Sequence, residues 1–276
     1  MTPDAQSTHH PIISAKDLTP SLFGEMMRRR GCLLVRGLIG LSDVLKMRAI
    51  AAQTYEIYDR AYQETEAGGA PFEDLYVAPD AYGESRKLMK GFRDFGSLIL
   101  SSCPLAAASL VPILSGSRMR PCVEAYFDAP IGLSANASSL RFSERGSTIP
   151  RVFHQDGNFL GGEDAETINC WIALDPCGVD APSMEVFPQR VDRLLPAGGP
   201  NAMVSWEIAE MTVYGTLGAE NAWVPEFLPG DAFLFNHTHV HRTHATPSMT
   251  KDRFALECWM FPIKERYRKN YLAWLG

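Results

Sequence analysis

Apolar and polar residues change rhythm about halfway along this chain. In the first 120 residues the apolar positions recur mainly at helical spacing. Residues 19–30 predict a short helix with Thr19 as its N-cap. The run GCLLVRGLI (31–39) is β-like and bounded by glycine. Ser42 is the expected cap of a long helix reaching residues 51–58, with Leu45, Met47, Ile50 and Ala51 near helical spacing. Residues 71–86, rich in Gly, Pro, Asp and Tyr, predict a loop, and CPLAAASLVPILSG (103–116) a buried helix with Pro112 as a kink point. Beyond residue 120 short β-like runs dominate: CVEAYF, SSLRFSE, TINCWIAL, MEVFP, WVPEF, DAFLFNHTHVH and RFALECWMF, separated by Asp-Pro, Gly-Gly, Pro-Gly-Asp and Pro-Ser turns. Many short strands with little helix between them predict an antiparallel sandwich or double-sheet barrel. The tail KERYRKNYLAWLG predicts a docked C-terminal helix whose Lys264, Arg266, Arg268 and Lys269 form a solvated face. With no linker visible, residues 1–276 read as one domain: a helical N-terminal layer (1–120), a β core (121–262) and a C-terminal helix (263–276).

Composition narrows the function classes. Of the 276 residues 46% are hydrophobic and 21% charged, an ordinary globular balance that can enclose a ligand pocket. A net charge of −6 argues against nucleic-acid binding, which needs a basic face. No apolar run approaches the roughly 20 residues of a membrane span. The start MTPDAQSTHHPIIS has neither the basic nor the apolar region of a secretory signal, so the expectation is a cytoplasmic protein acting on a small molecule. Its oligomeric state is open. None of the six cysteines forms a C-x-x-C pair, so they read as reduced core residues.

Histidine placement carries the chemistry. Five of the seven histidines fall in FHQDGNFLGG (153–162) and FNHTHVHRTH (235–244). The first holds His154-x-Asp156. Residues two apart on a strand point the same way, so an imidazole and a carboxylate can grip one ion from one side. The second offers His237, His239 and His241 on one face if the pleat is regular, with His244 following. Two histidines and one carboxylate on one face of an octahedral ion leave three positions open, the arrangement of non-haem Fe(II) oxygenases. Twelve residues past His241 comes Arg253. Its planar fork suits a carboxylate, such as the distal one of 2-oxoglutarate. By itself, His-x-Asp before Gly157-Asn158 also reads as a surface turn, and Arg253 as a strand-end charge.

In this order the motifs resemble the phytanoyl-CoA dioxygenase-like family of 2-oxoglutarate oxygenases. FHQDG is similar to its first iron motif, NCWIALDPCG to the Trp-containing strand after it, and PGDAFLF, HRT and Arg253 to its distal segment. The likeness spans residues 138–261. It implies a double-stranded β-helix, a jelly-roll or cupin-like barrel with flanking helices. It also implies Fe(II) on His154, Asp156 and His241, with 2-oxoglutarate and O2 as co-substrates. Arg253 would bind the distal carboxylate, with Thr243 as the supporting hydroxyl. His241 is preferred over His239 and His244 because Arg-Thr follows it and its spacing to Arg253 fits. Related halogenases replace the metal carboxylate with a small residue, so Asp156 implies hydroxylase-like chemistry. One departure stands out: FPQRVDR (187–193) replaces a Pro-Gly-Ser-His loop.

Weaker substrate-facing candidates are His239, Arg141, Ser139 and Trp171. Arg141 reads equally as a surface charge, and Trp171 equally as core. Two rival readings keep the scaffold. One is a cupin-like hydrolase or isomerase using another metal, which leaves Arg253 without a role. The other is a jelly-roll binding protein without turnover.

Overall fold

The computed structural model of the chain describes residues 10–64, 91–134, 137–147, 149, 151–264 and 271–275. The loop expected at residues 71–86 lies outside them, as do Arg266, Arg268 and Lys269. Local chemistry sets the N-terminal layer. Helix α1 (Pro20–Arg30) starts where the Thr19 hydroxyl accepts from the Leu22 amide at 3.3 Å, with Pro20 in its first turn. It stops at Gly31, whose φ of 71° ends the helix. Strand β1 (Ile12–Ser14) runs parallel to β2 (Cys32–Arg36). Helix α2 (Leu41–Glu64) begins one residue before Ser42, so that serine lies in the first turn. Helix α3 (Pro104–Gly116) runs on through Pro112.

Residues 122–127 are helical, as part of α4 (Met119–Phe127), which corrects the strand expected of CVEAYF. A six-residue apolar run does not separate strand from helix. The buried set Met119, Cys122 and Val123 has helical spacing and packs into the core. The layer is also not purely helical, because β1, β2 and β3 (Ser97–Ile99) join the main sheet.

The main sheet has nine strands among the described residues. Its path is β1, β2, β8 (Ala232–Asn236), β6 (Ile168–Ala173), β10 (Arg253–Pro262), β4 (Ile131–Ser134) and β11 (Tyr271–Trp274); β5 (Ser139–Ser143) joins β10 to β3. The expected C-terminal helix is thus corrected at residues 271–274. An aromatic-rich segment covers the open edge of β4 instead, and Leu275 is buried behind it.

A second, smaller sheet pairs β7 (Ser183–Val186) with β9 (His241–His244). Single bridges widen it: Phe153 to Ile208, His154 to His241, and Val186 to Trp223. WVPEF forms no strand; Pro225 interrupts it, and only Trp223 and Phe227 make bridges. The run DAFLFNHTHVH is likewise not one strand. It divides into β8 and β9 around a turn at residues 237–240.

Strand periodicity sorts the core into two layers. Outward residues of the main sheet, including Ile168, Cys170, Ile172, Leu234, Leu256 and Met260, pack with the helices. Inward residues Trp171, Ala173, Phe233, Phe235 and Ala255 meet Met184 and Val186 of the small sheet. This two-sheet arrangement is the double-stranded β-helix expected from the sequence. All six cysteines are free and buried, and burial pushes the Cys122 and Cys177 thiols up to about 11. No described helix is long and apolar enough to cross a membrane.

Candidate metal centre

The site is built across the small sheet. His154 and His241 form a reciprocal backbone pair, with N–H to O distances of 3.0 and 3.1 Å. Directly opposed residues of an antiparallel pair project side chains to the same face. The two imidazoles therefore stand together, ring centroids 4.2 Å apart. Asp156, two residues on, brings Oδ1 to 3.5 Å from His241 Nε2 and 4.0 Å from His154 Nε2. One ligand atom from each of the three lies within 4.8 Å of the others, a geometry that could hold a metal ion.

Hydrogen bonds leave the right atoms free. His154 Nδ1 faces the Val152 carbonyl at 3.1 Å, and His241 Nδ1 faces that of His239 at 3.0 Å. A ring nitrogen facing a carbonyl must carry the proton, so each Nε2 keeps its lone pair for a cation. Asp156 Oδ2 accepts from Trp259 Nε1 at 2.5 Å and Asn169 Nδ2 at 3.1 Å. Those donors are register partners on β10 and β6, so one rung of the main sheet reaches across to hold the carboxylate. Asp156 Oδ1 and His241 Nε2 are buried without any hydrogen-bond partner. Orphaned buried polar atoms cost roughly 1–3 kcal/mol each, a cost that a cation would remove.

The backbone around the triad is stapled from behind. Gln155, fully buried, points away from its neighbours. Its Nε2 donates to the Thr238 and Arg193 carbonyls at 2.5 and 3.0 Å, and its Oε1 accepts from the Leu195 amide at 2.6 Å. Thr238 Oγ1 donates to the Val191 carbonyl at 2.6 Å. The divergent loop FPQRVDR thus anchors the 237–240 turn through its backbone. After Asp156 the chain makes the one-turn helix α5 (Gly157–Leu160), not a surface turn. A Cβ at Gly157 would sit 2.8 Å from Leu194.

Solved structures share this architecture. The carbocyclase SnoK of nogalamycin biosynthesis, described as non-heme and alpha-ketoglutarate dependent, superposes with a TM-score of 0.58 at 20% identity over 91% of this chain and 86% of its own. EctD from S. alaskensis, solved with 2-oxoglutarate and 5-hydroxyectoine, gives 0.60 at 13% identity over 90% and 78%. The epimerase SnoN, in complex with Fe3+, alpha ketoglutarate and nogalamycin RO, gives 0.55 at 13% identity over 88% and 83%. At these identities the likeness establishes the fold. No protein-family model and no curated protein sequence matches the chain.

Other sequence candidates fall on both sides of the sheets. Arg253 is buried at 2% exposure on the inner face of β10. Its Nε donates to the Pro182 carbonyl at 3.1 Å and its Nη2 to Ser143 Oγ, the cross-strand neighbour, at 2.9 Å. The guanidinium lies 5.0 Å over the Trp171 ring, while Nη1 has no partner. Burial, then the like charges of Arg141 and Arg151, push its pKa down to about 10, against an opposing effect of Cys177. Trp171 also packs on Phe227 and serves as core and wall together. Thr243 lies opposite Met184, two residues from His241 and on its face. His239 is buried among Phe233, Phe235 and His241, with Nε2 unpartnered. Ser139 is buried on β5, its Oγ unpartnered. Arg141 reaches Ser97 Oγ and sits 3.5 Å from Glu257.

The shared strand face for three histidines is corrected. The strand ends at Asn236, and His237 turns away to the Glu163 carbonyl at 3.0 Å. His244 faces Glu185 at 3.8 Å on the outer side, beside Arg242. Sequence reading passed over Gln155, Asn169, Glu257, Trp259 and Arg151. Period-two spacing from Arg253 would have found Glu257 and Trp259, and from Trp171 it would have found Asn169.

Two outcomes follow. Burial holds His154, His239 and His241 below their ordinary pKa of 6.5, and His241 adds like-charge repulsion to His154 and His239. Burial raises Asp156, and Glu257 adds to that. On acidification the unfolded imidazoles take protons that the folded ones refuse, each costing about 1.4 kcal/mol per pH unit below 6.5. Asp156 acts in the opposite sense but supplies only one group against three. The metal-free chain should therefore lose thermal stability between pH 6.5 and 5; a flat Tm would contradict this. Trp259→Phe keeps a ring but removes the donor to Asp156. It should weaken metal binding roughly 10- to 100-fold in a chelator-competition titration, and an unchanged affinity would remove Trp259 from the site's support.

Proposed function

We propose that this chain is a non-haem Fe(II)- and 2-oxoglutarate-dependent oxygenase of the phytanoyl-CoA dioxygenase-like kind, hydroxylating a C–H bond of a small molecule. One observation carries the reading. Three unspent ligand atoms converge within 4.8 Å in a fold whose interior also buries an arginine with an open donor. Metal and co-substrate each have a matching set of residues. SnoK is alpha-ketoglutarate dependent, SnoN was solved with alpha ketoglutarate and EctD with 2-oxoglutarate, which supports the same co-substrate here.

The division of labour follows from the residues. His154, Asp156 and His241 would hold iron through Nε2, Oδ1 and Nε2, leaving the remaining positions open. Bound iron and 2-oxoglutarate together supply the oxidising power, with O2 consumed and succinate and CO2 released. Arg253 would pair its Nη1 edge with the distal carboxylate, in a position fixed by Ser143, the Pro182 carbonyl and the Trp171 face. Thr243 supports that end. His239 lines the same interior and offers one hydrogen bond to a bound acid or substrate. Asp156 fills the carboxylate position, which favours hydroxylation over halide transfer. A cupin-like hydrolase would leave Arg253's buried charge without a purpose, and a binding protein would leave the triad without one.

Succinate release from 2-oxoglutarate with Fe(II) and O2, assayed without a primary substrate, tests the class. Release above the background of Asp156→Ala is expected. Arg253→Ala should raise the 2-oxoglutarate requirement roughly 30-fold or more, from a loss of about 2–5 kcal/mol. No succinate would remove the oxygenase reading, and an unchanged 2-oxoglutarate dependence would remove Arg253 from it.

A further inference from the structure

The interior carries one more cation than the oxygenase reading uses. Period-two alternation puts Ser139, Arg141 and Ser143 of β5 on the same face as Arg253, Ala255, Glu257 and Trp259 of β10. Arg151 stands in the extended segment entering the metal site. It precedes Val152, whose carbonyl fixes the His154 ring. Three guanidiniums, Arg141, Arg151 and Arg253, thus share the region with two carboxylates, Asp156 and Glu257. Asp156 is directed to the metal. Glu257 lies 3.5 Å from Arg141 and also accepts from Asn169 Nδ2 at 3.3 Å. Arg253 is assigned to 2-oxoglutarate. Arg151 remains.

Its surroundings mark it as an open donor. Arg151 Nε is buried with no hydrogen-bond partner, and no described carboxylate pairs with its guanidinium. Burial, then the like charge of Arg141, lower its pKa to about 10. Arg151 is half-buried, and its buried Nε leaves a donor that an anion can complete. Geometry says where that anion arrives. His154 keeps 23% of its side chain exposed, whereas His241 keeps 4% and Asp156 none. Solvent therefore reaches the triad from the His154 side; Arg151 lies three residues before His154 in the chain and within electrostatic reach of Arg141 and Arg253. Arg141 is 24% exposed and has the small Ala255 as its cross-strand neighbour, which leaves room beside it.

We propose that Arg151, with Arg141 beside it, forms an anion subsite at the entrance to the metal centre that binds the acidic group of the primary substrate. The substrate is then an oxyanion-bearing acid — a carboxylate, phosphate or sulfate — whose reacting carbon lies further in, toward the triad. This assignment of substrate class rests on the oxygenase reading, whereas the anion subsite itself does not. Glu257 tempers Arg141, so that the subsite is selective for a single acid group.

The test uses inorganic sulfate as the probe. The chain is loaded with redox-inert Ni(II) and saturating 2-oxoglutarate, and sulfate is titrated at constant ionic strength by calorimetry and thermal shift. Wild type should bind sulfate, Arg151→Gln should bind it at least about tenfold more weakly, and Arg151→Lys should recover part of the loss. The 2-oxoglutarate affinity of Arg151→Gln should stay within about twofold of wild type. Equal sulfate affinity in wild type and Arg151→Gln, or no sulfate binding at all, overturns the proposal. So does an equal loss of 2-oxoglutarate affinity, which would place Arg151 in the co-substrate site. Repeating the titration on metal-free Arg253→Gln, with and without Arg151→Gln, separates the two readings. If 2-oxoglutarate fails to bind the loaded chain, the oxygenase reading falls. If sulfate binding there still depends on Arg151, the subsite stands.

Discussion

Two backbone hydrogen bonds between His154 and His241 set the geometry on which the site depends. They join segments distant in sequence at a single bridge of the small sheet. Because opposed residues share a face, the bridge fixes the separation of the two imidazoles before any ion is present. The carbonyls of Val152 and His239 then fix the tautomers. A regular β8 running through to His241 would not deliver this. The chain must leave the main sheet at Asn236 and enter the small one at His241, and Gln155 and Thr238 hold the turn that makes the transfer possible.

Asp156 is the energetic counterpart. A carboxylate with no exposure would ordinarily be driven to protonate. Trp259 and Asn169 oppose that by donating to Oδ2, and the sheet register that makes them neighbours lets them act together. Asn169 Nδ2 also reaches Glu257, which reaches Arg141. Asp156 is thereby connected, through one amide and one acid, to Arg141.

Much of this was legible in the sequence because it is local or periodic. Thr19 and Gly31 bracket α1 by capping chemistry alone. His154-x-Asp156 stood out as a pair, and both side chains converge with His241, although Asp156 turns into helical backbone ahead of α5 instead of continuing a strand; RFALECWMF is a strand on sight. What escaped depends on partners outside the run being read. FNHTHVH contains no glycine or proline, and Asn236 is its one local turn signal; the turn closes on Asn236 and is held from outside by Gln155, more than 80 residues away. CVEAYF needed Met119 to show its helical spacing, and the C-terminal YLAW became a strand because β4 had an open edge. Asn169, Glu257 and Trp259 lay on inward faces that period two could have identified. Their roles follow only once the register of β6 on β10 is known.

The central claim is that two imidazoles, not three, meet the metal, with His239 standing aside although its Nε2 is buried and unpartnered. X-ray absorption at the iron edge, on the anaerobically loaded chain and its His239→Gln variant, tests this directly. Two histidine ligands in both samples, with an unchanged spectrum between them, is the expected result. Three histidine ligands in the wild-type chain, falling to two in His239→Gln, would contradict it.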